Sequence, residues 1–279
     1  MKNKTQLLLS LLLVIALLFT ACVPADDVQG TTTIEAKYTR SGPNWTATTS
    51  GGGYTIFYPR GLEDGSYPVI LWGNGIGTPT IAYTPLLTHL ASWGFVVIAS
   101  NNSMDYNGRT LISAIDYVFK QNDTPNSTFY GKLDTSRIGT AGHSLGGGAA
   151  IGAATDDRIA CSAGLAPAAD LTVPFAASQA KGPVLLMTGA YDYIISPTFV
   201  KNAYKDVVRA GKVPAVFAKH RAMDHISFAW TGGGATGYLT AWFAFQLQDD
   251  SVAAGAFIDG CEISHNEKWI EVETNYDSF

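Results

Sequence analysis

The chain has 279 residues, of which 47% are apolar and 15% charged, and a formal net charge of −5. This composition is too apolar and too lightly charged for a disordered chain, and an acidic balance without a long basic run argues against nucleic acid as a partner. The substrate expected on these grounds is neutral and apolar.

Lys2-Asn3-Lys4 opens onto an apolar run from Leu7 to Ala21, which ends in Leu18-Phe19-Thr20-Ala21-Cys22. A spanning helix needs about 20 apolar residues, so this shorter run reads as a secretory signal over residues 1–21. The small residues before Cys22 resemble a bacterial lipoprotein signal. Cys22 is then the expected lipid-bearing residue, holding an exported chain to the membrane at the cell surface or outer membrane. Phe19 stands where that motif most often has leucine, so plain secretion, extracellular or periplasmic, is the alternative. Cys161 and Cys261 remain, and both are expected as free thiols, although an exported protein could bridge them. No spacing of Cys and His resembles a zinc site, and no metal is expected.

Residues 22–50, rich in Thr and Gly, read as a lipidated N-terminus, a spacer and a first strand, with one folded domain from 51 to 279. Tyr54 to Tyr58 is aromatic and β-branched, a strand. Pro68 to Trp72 and Phe95 to Ala99 are continuous apolar runs, as in strands covered on both faces. Between them Pro85 to Trp93 reads as a helix closed by Gly94. Leu111, Ile112, Ile115, Val118 and Phe119 recur at helical spacing and place an amphipathic helix over 109–120. Ile138 to Ala141 is a buried strand, and a helix of small residues follows from Leu145 to Ala154. Strands are expected at 159–165, 183–188 and 214–219, with helices at 198–210 and 236–248. Strands alternating with helices specify an α/β fold, a single domain whose mostly parallel sheet is doubly wound.

Between the strand ending near Ala141 and the helix from Leu145 lies Gly142-His143-Ser144-Leu145-Gly146, a G-x-S-x-G turn. A tight strand-to-helix turn forces unusual backbone angles on its serine and admits only glycine-sized neighbours, which leaves Oγ exposed beyond the sheet edge. A serine hydroxyl becomes a useful nucleophile only when a histidine takes its proton and a carboxylate fixes that histidine. On such sheets the order is Ser, then Asp or Glu, then His. Asp192 lies just past the strand at 183–188 and is the expected acid. Asp170 is the runner-up, unusually close to Ser144 in sequence. His225 lies on a loop after the last predicted strand and is the expected base. His89 precedes the serine within a helix, His143 is the x of the turn and points the wrong way, His220 closes a strand, and His265 lies in the tail. Two backbone amides should face the developing oxyanion: Leu145, after the nucleophile, and Ile76 in the loop Trp72-Gly73-Asn74-Gly75-Ile76-Gly77, with Gly75 close behind.

These segments resemble the bacterial cutinase-like polyester hydrolases, the group that includes enzymes attacking polyethylene terephthalate, within the dienelactone-hydrolase branch of the α/β-hydrolases. The likeness runs from about Tyr54 to Cys261. It is carried by Leu90 to Ile98, by Tyr130 to Arg137 leading into Gly142 to Gly148, by Gly189 to Pro197, and by the loop holding His225. The resemblance implies that 51–279 is an α/β-hydrolase catalytic domain, a secreted serine esterase acting on bulky or insoluble esters or polyesters, without metal or cofactor. A monomer is expected. Family members usually carry an aromatic residue at the position of Ile76 and often a tryptophan at that of Ala168. Both positions are expected to line the substrate site, and without the two rings a clamp on an aromatic acyl group is weaker. Cys261 matches half of the family's C-terminal disulfide, and no later cysteine completes it. Two other readings use the same chain: an amidase or peptidase on the same triad, or a non-catalytic surface lipoprotein that binds lipid or glycan.

Overall fold

The structure, a computed structural model, describes residues 33–62, 65–168, 177–258 and 261–279, together with all of their side chains except that of Cys261. Cys22, the signal segment and Asp170 lie outside the described residues.

Nine strands among these residues form one sheet in the order β1-β2-β4-β3-β5-β6-β7-β8-β9. They are β1 (Thr46–Gly51), β2 (Tyr54–Pro59), β3 (Tyr67–Gly73), β4 (Val96–Ser100), β5 (Leu133–His143), β6 (Ile159–Leu165), β7 (Val184–Gly189), β8 (Ala215–His220) and β9 (Trp269–Thr274). The six from β4 to β8 pair in parallel. β1, β2 and β9 join antiparallel at the two flanks. This is the α/β-hydrolase fold, and every strand and long helix read from the sequence is present within a few residues.

The central strands are apolar over most of their length because each has two cores to fill. Val69 and Leu71 of β3 face one core, with Ile115 and Ile151, while Ile70 and Trp72 face the other, with Leu90 and Trp242. The first core is covered by helices Arg109–Asp123, Leu145–Ala153 and Pro197–Ala210, and the second by Thr84–Ser92 and Thr236–Gln248. Pro197–Ala210 buries the stripe Val200, Ala203, Tyr204 and Val207 and ends at Gly211, whose φ of 61° suits a residue without Cβ. Thr236–Gln248 is buried nearly all round. Its outer side is covered by two short helices, Ile34–Thr39 and Ser251–Ala254.

The first of those helices corrects the expectation of a spacer. Thr33 caps it, the Glu262 carboxylate accepts from the amides of Ile34 and Glu35 at 2.5 and 2.9 Å, and the fully buried Tyr38 donates its hydroxyl proton to Asp250. The segment before β1 is therefore part of the folded body from Thr33 onward. β9 takes the place of the expected tail. Its alternation is short and charged, and its glutamates pair with Lys201 and Lys219 across the edge of β8, a charged edge that discourages pairing with other chains.

Cys161 is a free thiol in the core, and burial raises its pKa far above the ordinary thiol value. Iodoacetamide at pH 8 should leave the Cys161 peptide unmodified in the native protein and alkylate it in guanidinium, as read by mass spectrometry. Rapid native labelling would show that this part of the core opens.

Candidate active site

The chain passes from β3 to β4 on one side of β3 and then crosses to β5 on the other. In sheets of this kind ligands bind at such a reversal, beyond the carboxyl ends of the strands, here β3 and β5. Ser144 emerges there, between β5 and its helix, with φ 55° and ψ −123°. Few residues other than glycine adopt such angles, and here close backbone contact imposes them. A Cβ added at Gly142 would lie 2.2 Å from the Gly146 carbonyl oxygen, and one at Gly146 only 2.1 Å from that of Gly73. The glycines of the turn thus let helix Leu145–Ala153 start directly against the end of β3. The serine backbone is held from the next loop as well: Ser144 N–H donates to Leu165 O at 2.9 Å, and Ala168 N–H donates to Ser144 O at 2.9 Å.

His225 and Asp192 meet this serine. His225 Nε2 lies 2.9 Å from Ser144 Oγ, and His225 Nδ1 lies 2.8 Å from Asp192 Oδ2. The other carboxylate oxygen, Oδ1, accepts from the amides of Ile194 and Ile195 at 3.0 and 2.7 Å. All three side chains are buried, with Asp192 at 3% exposure. Asp192 can only accept while ionised, so it requires a proton on Nδ1 and leaves the Nε2 lone pair facing the hydroxyl. Three residues spread over 81 positions of sequence therefore form one continuous line of hydrogen bonds.

The loop after β3 separates two amides that the sequence could not. Gly75 N–H donates to Tyr83 Oη at 3.0 Å, and Gly77 N–H donates to Ser103 O at 3.2 Å. Ile76 N–H, between them, has no acceptor among the described residues. Leu145 opens its helix, where the first amides have no intrahelical partner. The Ile76 side chain is exposed, and Ala168 is half-buried beside the serine.

The other histidines stand apart from the hydroxyl. His89 bonds Tyr38 O at 2.9 Å, and His265 ends a short helix near the C-terminus. His220 is a buried strand-end residue, its ring edge-on to Trp269 at 5.0 Å. His143 points away from the hydroxyl, as the turn requires, yet it is not idle: Nδ1 lies 2.9 Å from Tyr83 Oη and Nε2 2.9 Å from His225 O. Burial, aided by the nearby His225, lowers its pKa to about 4. Sequence reasoning missed this residue and Tyr83. A histidine inside the turn was the available signal, and Tyr83 has no motif to mark it.

Residues 30–276 match the family described as PETase, PET hydrolase-like. The chain belongs to the PET hydrolase-like family. Among curated relatives, this family member is 37% identical over 113 residues to a bis(hydroxyethyl) terephthalate hydrolase of Streptomyces coelicolor, a match covering 39% of this chain and 35% of the relative. It is 35% identical over 105 residues to cutinase est1 of Thermobifida alba, covering 36% of this chain and 34% of that protein, and likewise to cutinase 2 of Thermobifida cellulosilytica, covering 36% and 38%. The chain spans about a third of the length of the curated relatives it matches.

Because the obstructing atoms at Gly146 are backbone, Gly146→Ala should destabilise the protein by at least ~2 kcal/mol and displace the loop after β3. Urea unfolding measures the first effect. An unchanged unfolding midpoint would contradict the packing described.

Proposed function

We propose that this protein is a serine carboxylic ester hydrolase working through an acyl-enzyme, and the observation that carries the reading is the unbroken line Asp192–His225–Ser144 beside the two open amides of Leu145 and Ile76. Ser144 Oγ attacks the ester carbonyl carbon as His225 Nε2 takes the hydroxyl proton. Asp192 keeps the imidazole in the required tautomer and stabilises the imidazolium that forms. The carbonyl oxygen becomes an oxyanion held by the amides of Leu145 and Ile76, a contribution of about 3 kcal/mol per donor in comparable sites. The tetrahedral adduct collapses, the alkoxide leaves with the proton from His225, and water activated by the same ring releases the acid. No step requires a metal or cofactor.

The substrate is read from the rim. Ile76, Tyr193, Ile194, Ile226 and Trp230 are exposed large apolar residues, and four of them are on the oxyanion, acid and histidine loops themselves. Exposed apolar surface concentrated at a site marks contact with an apolar partner, here a bulky or insoluble ester such as a polyester. The names of the curated relatives support that class. Aliphatic polyesters are favoured over aromatic ones, because Ile76 and Ala168 stand where a pair of rings would grip an aromatic acyl group. Export with a lipid on Cys22 rests on the sequence of residues 1–22, and a monomer is the expected state.

Replacing Ser144 with Ala should lower turnover of p-nitrophenyl butyrate by ~10⁴-fold or more while leaving the fold intact. A fluorophosphonate probe should label Ser144 in the unaltered protein and nothing in the variant. Absence of labelling would favour the non-catalytic reading, and faster cleavage of acyl-anilides than of matched esters would favour an amidase. With polymer films, an aliphatic polyester should be eroded faster than polyethylene terephthalate, and the reverse order would overturn the assignment at Ile76 and Ala168.

A further inference from the structure

Behind the imidazole of His225 a second line of hydrogen bonds joins the oxyanion loop to the histidine loop through the turn that carries the nucleophile. Gly75 N–H reaches Tyr83 Oη at 3.0 Å, Tyr83 Oη reaches His143 Nδ1 at 2.9 Å, and His143 Nε2 reaches the main-chain oxygen of His225 at 2.9 Å. The direction of every bond is determined. A carbonyl oxygen only accepts, so the proton of a neutral His143 is on Nε2, and Nδ1 must accept. Tyr83 therefore spends its one proton on Nδ1, and its oxygen accepts from Gly75. Reversing any link would set two donors or two acceptors face to face in a site where Tyr83 is fully buried and His143 is 4% exposed.

The line fixes both functional ends. Gly75 O accepts from Thr78 N–H at 3.0 Å, and in a trans peptide the following N–H points opposite to that oxygen. Holding Gly75 by its amide and by its carbonyl thus sets the direction of Ile76 N–H. At the other end, the bond to His225 O anchors the backbone from which the base projects, and the two imidazoles lie 4.9 Å apart.

We propose that His143 and Tyr83 are positioning residues, which hold the oxyanion amide of Ile76 and the base His225 in a single register around Ser144. This rests on the catalytic reading of Ser144, His225 and Ile76 given above. Neither residue touches the reacting atoms, so their effect falls on the rate of the chemical step and not on substrate capture.

The test uses the full chain. With ¹⁵N-histidine labelling, long-range proton–nitrogen spectra should show His143 neutral and protonated on Nε2 at pH 7, its signals assigned by their loss in His143→Gln. Tyr83→Phe and His143→Phe should each lower kcat by about 10- to 100-fold, since small misplacements of reacting groups cost that much, with KM changed less than about threefold. His143→Gln carries a donor and an acceptor on one amide and should recover most of the loss. The double variant should be no worse than the poorer single one. The proposal is overturned by a His143 ring protonated on Nδ1, by kcat within twofold of the unaltered protein in both Phe variants while Ser144→Ala is inactive, or by a loss that appears only in KM. Turnover retained by Ser144→Ala would instead remove the catalytic reading beneath it, and the proposal with it. The spectra decide the bond directions even where a variant fails to fold.

Discussion

Three glycine backbones set the height of Ser144 above the sheet. Gly73 ends β3, Gly142 lies one residue before the end of β5, and Gly146 is the second residue of the helix, and the three approach more closely than any Cβ allows. The contact costs strained angles at one serine, and the surrounding core over-determines those angles. From that fixed point the rest of the site follows: the loop after β6 grips the serine backbone, the loop after β7 brings the carboxylate, and the loop after β8 brings the ring. The parallel sheet therefore supplies four adjacent strand ends, and each contributes one part.

Legibility in the sequence followed burial. β3, β4, β7 and β8 could be read because strands buried on both faces carry nearly continuous apolar runs, and helix Arg109–Asp123 because one stripe of it is buried. Helix Ile34–Thr39 could not be read, because only Glu35 and Tyr38 are buried and its first two amides are satisfied by Glu262, more than 220 positions away. β9 hides for a similar reason, with Trp269 its one buried residue. Within the site, chain order and loop placement were enough to single out Ser144, Asp192 and His225 as partners. Ile76 and Gly75 could not be told apart without knowing that a tyrosine from another element takes the Gly75 proton. The opposite oversight befell His143: a residue facing away from the nucleophile looks irrelevant until its own contacts are known.

The apolar rim and the polar interior serve different ends. Exposed Ile76, Ile194 and Ile226 adjoin residues that hold the site's polar geometry, so the loops that would touch substrate are also those that fix donors and base. Substitutions meant to reshape the rim must leave the backbone at positions 75 and 225 where it is. Ile76 is exposed and Ala168 half-buried, whereas Tyr83 and His143 are buried behind them.

His143 ends on a backbone oxygen and not on the neighbouring imidazole, and this has a consequence for proton traffic. An amide carbonyl is too weak a base to take up a proton and pass it on, so the two rings are insulated from each other despite lying side by side. Charge gained by the outer ring has no exit toward the interior. In the ester hydrolysis proposed above, it would stay beside Ser144 until the departing alcohol collects it.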